Sequence, residues 1–194
     1  MTLDPISEAA AALAAGGVVC IPTESTYGLA ADIRSPPALH ALGVLKQTRP
    51  ADAPYPLIAP DLAAARALAR VWPAAAEELA ARHWPGPLTL VVPARADLPP
   101  ELVGAGGGVG VRVSSHPLAA ALARAVGAPI TATSANRSTF PPATTMQQAR
   151  AVFGAEVACY LDGGVCQGTP STVVAVDESG ALRVIRAGAV ALSP

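Results

Sequence analysis

The chain has 194 residues, of which 52% are hydrophobic and 14% charged; its net charge is −1, and its three cysteines form no CxxC pair. The length fits one domain with a sizeable core. No stretch reaches the roughly 18 uninterrupted apolar residues of a membrane-spanning helix, and the N-terminus lacks the basic start of a signal peptide. We therefore expect a soluble, cytoplasmic protein with no membrane partner. The near-neutral charge gives no general drive toward nucleic acid, and the scattered cysteines argue against a disulfide scaffold or structural zinc.

The predicted elements of the first half begin at capping and turn signals. Asp4-Pro5 combines an N-cap with proline at the first helical position, and Ser35-Pro36 repeats this signal. The apolar run 18–21, bounded by glycine and proline, predicts a buried strand, and 22–28 is predicted to be a loop. The predicted elements are, in order, a helix from 5 to the Gly16-Gly17 stop, a strand over 18–21, a helix from 36 toward 46, a strand at 57–58, and helices over 61–70 and 73–82.

The second half continues the alternation and ends in strands alone. The predicted elements are a strand over 88–92, a glycine-rich turn over 104–108, a strand over 109–113, a helix over 117–126, a strand over 129–132, a helix over 145–153, and strands near 157–160, 172–176 and 182–185. Alternating strands and helices predict an α/β fold. Because the late strands have no helices between them, some must pair antiparallel, so the pattern predicts a twisted mixed sheet in one domain, 1–194.

Polar side chains cluster in loops that follow predicted strands, where α/β proteins build their sites. The segment 23–28 (TESTYG) could hold a small polar ligand by several hydrogen bonds or be an ordinary capped turn. A second burst of hydroxyl and amide groups lies at 131–136 (TATSAN), and Ser171 follows a proline near the last strands.

Three cationic side chains are further candidates for a binding site. Lys46 and Arg49 could clamp a triphosphate, or they could be cations favourably placed at a helix C-terminus. Arg112 lies inside an apolar strand, where an unpaired charge is costly. It therefore needs an anionic partner, which is either a protein carboxylate or the carboxylate of a ligand.

Several common chemistries have no motif in this chain. There is no GxxxxGK[ST], no GxGxxG after a strand and no GxSxG, and the three histidines show no metal-ligand spacing. The candidate residues that remain are hydroxyl-bearing side chains and several cations, which together would line a pocket. Such a pocket suits the positioning and charge neutralisation of an anionic ligand, as in phosphoryl and nucleotidyl transfer.

Eight segments, taken together and in order, resemble the YrdC/TsaC family of threonylcarbamoyl-AMP synthases. They begin at Gly16, include Gly188 in the last segment, and read GGVVCIPTESTYGL, LKQTRPAD, WPGPLTLVVP, VGVRVSSHP, APITATSANRS, LDGG, PSTVV and LRVIRAGAV. The resemblance implies a single-domain α/β fold, with a twisted mixed sheet, flanking helices and a central open cavity.

The resemblance also implies an activity. The family makes threonylcarbamoyl-AMP and pyrophosphate from L-threonine, bicarbonate and ATP, with Mg²⁺ carried by ATP and no resident metal. A partner complex then transfers the threonylcarbamoyl group to the adenosine at position 37 of certain tRNAs, and weak RNA binding is possible for this fold.

Residue roles follow from the matching motifs. The resemblance implies that threonine is bound by Thr23, Arg112, Ser134 and Ser171. It implies that the nucleotide is bound by Lys46, Arg49, Asn136, Thr144 and Arg186. Of these, Lys46 and Arg49 are the expected catalytic pair, because they would neutralise the departing pyrophosphate.

The chain departs from the family pattern at three places. Thr48 lengthens the spacing between Lys46 and Arg49, Pro60 stands where a histidine is common, and Thr139 replaces the glycine of SANxSG. We expect Pro60 and Thr139 to touch the substrate pocket. Two alternatives therefore stay open, which are a paralogue that uses another amine or carbamoyl acceptor and a non-catalytic RNA-binding module.

Overall fold

The structure is a computed structural model that describes residues 4–46, 53–137 and 140–192. Within these residues the helices are α1 Pro5–Ala14, α2 Pro36–Leu45, α3 Leu62–Arg66, α4 Ala74–His83, α5 Pro117–Val126 and α6 Met146–Phe153. The strands are β1 Val19–Pro22, β2 Tyr27–Ala30, β3 Leu57–Ile58, β4 Leu88–Pro93, β5 Gly108–Arg112, β6 Ile130–Thr131, β7 Thr133–Ser134, β8 Cys159–Tyr160, β9 Thr172–Val176 and β10 Leu182–Arg186.

Side-chain caps set the starts of α1 and α2, as the sequence predicts. The Asp4 carboxylate accepts hydrogen bonds from the backbone N–H groups of Ile6 and Ser7 at 3.0 and 3.2 Å, and Ser35 Oγ accepts from Ala38 N at 3.3 Å. These bonds satisfy amide groups that have no partner inside the helix. The described helices are at most ten residues long, and none of them has the length and apolarity needed to cross a membrane.

The strands form two mixed sheets rather than the single sheet that the sequence pattern predicts. The smaller sheet has the order β7-β2-β1-β8, and the larger has the order β10-β9-β4-β5-β3-β6. Both contain parallel and antiparallel pairs, for example β1 with β8 and β1 with β2. The chain passes from β6 in the larger sheet to β7 in the smaller one across the single residue Ala132, which brings the two sheets together at this point.

Three predicted boundaries are wrong. The loop predicted over 22–28 shrinks to 23–26, because Tyr27 already pairs with Pro22 at the start of β2. The helix predicted over 61–70 ends at Arg66, since the N–H of Arg70 instead donates to the last carbonyl of β4, Pro93 O, at 2.9 Å. The polar residues 133–134, predicted to be a loop, form β7 against β2.

Strand β1 is buried on both faces, which explains its uninterrupted apolar sequence. Val19 and Ile21 belong to one apolar cluster with Leu13 of α1 and Leu122 of α5, whereas Cys20 belongs to the larger cluster that fills the rest of the core. The loop 23–26 therefore leaves a rigid strand, and such a strand holds polar side chains in defined positions.

Candidate active site

A cavity of about 1160 Å³ opens between residues of both sheets. Its wall includes β2 and β7 from the smaller sheet and β4, β5, β9 and β10 from the larger one. Predicted site residues that line it are Thr23, Arg112, Ser134, Ser171 and Arg186. The central open cavity implied by the resemblance is therefore confirmed, and it gathers side chains from distant parts of the chain.

Arg112 forms an ion pair with Glu24 on the cavity wall. The Arg112 Nη1 donates to Glu24 Oε2 at 2.6 Å, and the two side chains are only 10% and 16% exposed. The second Glu24 oxygen accepts from Ser114 Oγ at 2.8 Å and from the N–H of Ser115 at 2.8 Å. Of the two partners that the sequence left open, the structure thus supplies the protein carboxylate. We did not assign Glu24, although it is the only acid in the TESTYG segment.

The Glu24 carboxyl is held in its ionised form. Burial raises its pKa, but the positive charge of Arg112 and the hydrogen bonds to the carboxylate outweigh burial and hold the pKa at about 2. A group that is ionised throughout the neutral range cannot exchange protons with a substrate there. Glu24 is consequently a fixed negative charge beside Arg112 rather than a general acid or base.

Arg186 brings a second guanidinium group to the same part of the wall. Its pKa is lowered by burial and by the neighbouring charge of Arg112. Its Nη2 donates to the carbonyl and the hydroxyl of Ser171 at 2.8 and 3.1 Å. Two guanidinium groups next to one carboxylate leave this region positive, so an anionic group fits here.

Ser171 also contacts a residue that the sequence analysis did not single out. Its Oγ lies 3.0 Å from Oγ1 of Thr89, which is the threonine of WPGPLTL in β4. Thr89 is 4% exposed and lines the cavity. The sequence feature that could have indicated Thr89 is its hydroxyl group in a strand otherwise rich in leucine and valine.

Lys46 is buried just behind the cavity wall. Its Nζ donates to Ser134 O, Asn136 O and Asn136 Oδ1 at 2.8, 2.8 and 2.9 Å, and the residue is 3% exposed. Ser134 Oγ donates to the same Asn136 oxygen at 2.6 Å. Lys46, Ser134 and Asn136 are therefore brought together, but only Ser134 lines the described cavity.

Two predicted threonines make local contacts in the structure. Thr23 Oγ1 donates to Thr26 O at 2.7 Å, which closes the loop 23–26 as a capped turn would. Thr144 precedes α6, where its hydroxyl donates to Gln148 Oε1 at 3.1 Å, and it does not belong to the cavity wall.

Of the three departures from the family pattern, the structure describes only the one at Pro60. Arg49, Thr48 and Thr139 lie outside the described residues. Pro60 is described, but it is not part of the cavity wall, so the expectation that it touches the pocket is wrong. It follows β3 and stands next to the N-cap Asp61 of α3, outside the polar part of the site.

The segment 163–168, which begins within the LDGG motif, packs against β2 and the loop 23–26. The Tyr27 hydroxyl accepts from Gly163 N at 3.0 Å and donates to Gly164 O at 2.9 Å. Farther along, Gly168 packs directly on the backbone of Glu24, so that a Cβ there would lie 2.0 Å from Glu24 O. The segment thus fixes the loop that carries Glu24.

Comparison with known proteins places this site in context. The family model described as "Telomere recombination" (Sua5_yciO_yrdC) matches residues 11–188. The chain is 42% identical to a threonylcarbamoyl-AMP synthase of Thiobacillus denitrificans over 82% of this chain and 84% of the relative. It is 41% identical to one of Alkalilimnicola ehrlichii over 94% of this chain and 95% of the relative.

A solved structure shows the same fold with an amino acid bound. The P. abyssi Sua5 structure complexed with L-threonine superposes with a TM-score of 0.88 at 34% identity. The match covers 97% of this chain but only 56% of that chain, so this chain spans little more than half the length of that Sua5 protein.

Proposed function

The chain belongs to the Sua5/YciO/YrdC family, and we propose from this premise that it makes threonylcarbamoyl-AMP from L-threonine, bicarbonate and ATP, releasing pyrophosphate. This makes it a nucleotidyltransferase in the pathway of tRNA modification. The observation that supports the proposal most is the cavity wall with Arg112, Arg186 and several hydroxyl groups, in a chain 42% identical to a synthase of that name.

Arg112 is the proposed partner of the threonine carboxylate. Among the described residues it donates only through Nη1, to Glu24, which leaves Nε and Nη2 for a second carboxylate. Glu24 keeps the guanidinium in place and offsets the cost of burying it. The hydroxyl groups of Thr23, Ser134 and Ser171 complete the proposed threonine site.

Lys46, Asn136 and Arg186 are proposed contacts of the nucleotide. Lys46 contacts Ser134 and Asn136, so its charge lies directly behind the proposed threonine site. Arg49 and Thr144 are the remaining proposed nucleotide contacts. Mg²⁺ would arrive on the phosphate oxygens of ATP, which are the ligands that this ion commonly uses at nucleotide sites.

The proposed chemistry needs no nucleophile from the protein. The neutral threonine amine attacks the carbon of bicarbonate and forms a carbamate with loss of water, or attacks carbon dioxide and forms the same carbamate with loss of a proton. A carbamate oxygen then attacks the α-phosphorus of ATP, and pyrophosphate leaves. The protein's part is to align these groups and to stabilise the charge that develops on the departing pyrophosphate, for which Lys46 and Arg49 are the proposed residues.

Product analysis tests this proposal. Purified protein is incubated with ATP, bicarbonate and L-threonine, and pyrophosphate and the adenylate are measured by mass spectrometry, with each substrate omitted in turn. We expect a threonylcarbamoyl-AMP peak that requires all three substrates. A product with another amino acid in place of threonine would indicate a paralogue, and RNA binding without turnover would indicate a non-catalytic module.

The downstream steps extend the same proposal. A threonylcarbamoyl transferase complex would take the product to tRNA, and we propose on this ground that the enzyme acts in the cytoplasm. Weak RNA binding is a further proposal, and its test is a salt-dependent shift with unmodified tRNA.

A further inference from the structure

Thr89 occupies a position on the cavity wall that none of the assigned roles explains. It is the second residue of β4, paired with Val173 of β9, and is 4% exposed. Its Oγ1 lies 3.0 Å from Ser171 Oγ. A buried hydroxyl in an otherwise apolar strand needs a partner, because an unsatisfied polar group is costly.

The donors and acceptors around Ser171 determine where the hydroxyl protons lie. Arg186 Nη2 approaches Ser171 Oγ at 3.1 Å, and a guanidinium group can only donate. Ser171 Oγ therefore accepts this bond and keeps one lone pair for a second donor. Thr89 can therefore either donate a hydrogen bond to that lone pair or accept one from the Ser171 hydroxyl.

Thr89 is the donor in its contact with Ser171. In the part of the chain that the structure describes, Ser171 is the only hydrogen-bond partner of Thr89 Oγ1. If Ser171 donated instead, the proton of Thr89, which is only 4% exposed, would have no described acceptor, whereas the half-buried Ser171 can direct its own proton into the cavity. The β-branched side chain is also stiff in a strand, so Thr89 cannot readily turn its hydroxyl elsewhere.

We propose that Thr89 is a positioning residue that makes the Ser171 hydroxyl a dedicated hydrogen-bond donor to an anionic ligand. With both lone pairs occupied by Arg186 and Thr89, the Ser171 oxygen has only its proton left, and no described residue accepts it. The proton therefore points into the cavity. Two incoming hydrogen bonds also polarise the O–H group and strengthen its donation.

The identity of the acceptor rests on the proposed function. If the ligand is threonine, Ser171 donates to an oxygen of its carboxylate or of the carbamate formed from it, and never accepts from its ammonium group. The arrangement thus favours the anionic end of the substrate, on the same wall as Arg112.

Neutron diffraction tests the proton assignment without reference to any reaction. In crystals exchanged into D₂O, we expect the Thr89 deuteron on the line to Ser171 and the Ser171 deuteron directed into the cavity. A Ser171 deuteron on the line to Thr89 would overturn the proposal, whatever substrate the protein uses.

Kinetics of matched variants test the consequence. Thr89→Val keeps the shape and the β-branch, and we expect the KM for L-threonine to rise about fivefold with kcat and Tm close to wild type. Thr89→Ser should restore the KM, because it keeps the hydroxyl. In a Ser171→Ala background, Thr89→Val should have no further effect.

Three other outcomes are informative. An equal KM increase for Thr89→Val in the Ser171→Ala background would overturn the proposal, since Thr89 would then act by another route. If Thr89→Val does not fold, the pair Thr89→Ala and Thr89→Ser isolates the hydroxyl at equal loss of the methyl group. A wild-type protein that makes no threonylcarbamoyl-AMP would refute the proposed function, whereas the neutron result would still decide the proton assignment.

Discussion

Replacing Glu24 by glutamine should remove a pH-dependent part of the protein's stability. Glutamine has the size and shape of a protonated glutamate, but it cannot carry the negative charge that Arg112 contacts at 2.6 Å. The neighbouring donors, Ser114 Oγ and Ser115 N, would then face a neutral amide. The variant therefore reports on the charge of Glu24 while the packing is kept.

The size of the effect follows from the pKa. The Glu24 pKa is about 2 in the folded protein against an ordinary 4.5, and each pH unit of such a difference corresponds to about 1.4 kcal/mol. The charge thus contributes about 3 kcal/mol to the free energy of unfolding at pH 7. Because the folded pKa is the lower one, this contribution is complete above 4.5 and disappears as the pH falls toward 2.

Urea unfolding of wild type and Glu24→Gln at pH 7, 5, 4 and 3 measures this directly, with Trp72 and Trp84 as fluorescent probes. We expect Glu24→Gln to be about 3 kcal/mol less stable at pH 7, with less than half of that difference left at pH 3. Glu78→Gln is the control, since Glu78 is 69% exposed and 3.7 Å from Arg82 and should matter little. A difference between wild type and Glu24→Gln that stays constant down to pH 3 would refute the electrostatic explanation.

Three further substitutions test other parts of the site. Lys46→Ala should abolish turnover while the circular dichroism spectrum keeps its folded shape; unchanged turnover would rule out the phosphate role. Gly168→Ala should lower Tm, because its Cβ would lie 2.0 Å from Glu24 O, and a wild-type Tm would show that the segment does not fix the loop. Tyr27→Phe loses the bonds to Gly163 N and Gly164 O and should cost about 1–3 kcal/mol in urea unfolding, whereas a negligible change would contradict that contribution.

The sequence predicted the elements whose signals are local. The starts of α1 and α2 follow from the caps Asp4 and Ser35, and β1 follows from an apolar run bounded by glycine and proline. Strands β2 and β7 escaped prediction because β2 has only four residues and contains a glycine, and β7 has only two polar residues; both are ordered by pairing, β2 with β1 and β7 with β2.

In the site, too, the sequence shows which residue types are present but not which distant residues come into contact. The TESTYG segment and the cations could be identified from the sequence, and the family resemblance implied their roles. The contacts of Arg112 with Glu24 and of Thr89 with Ser171 join residues 88 and 82 positions apart. Such pairs depend on the register and order of the strands, which local patterns do not determine.

The most direct test of the central claim is the fate of the bicarbonate carbon. The protein is incubated with ATP, L-threonine and isotopically labelled bicarbonate, and the adenylate is isolated and fragmented in a mass spectrometer. We expect one labelled carbon, located between the threonine nitrogen and the AMP phosphate, and pyrophosphate in equal amount. An unlabelled adenylate, or pyrophosphate released without any threonine-containing product, would contradict it.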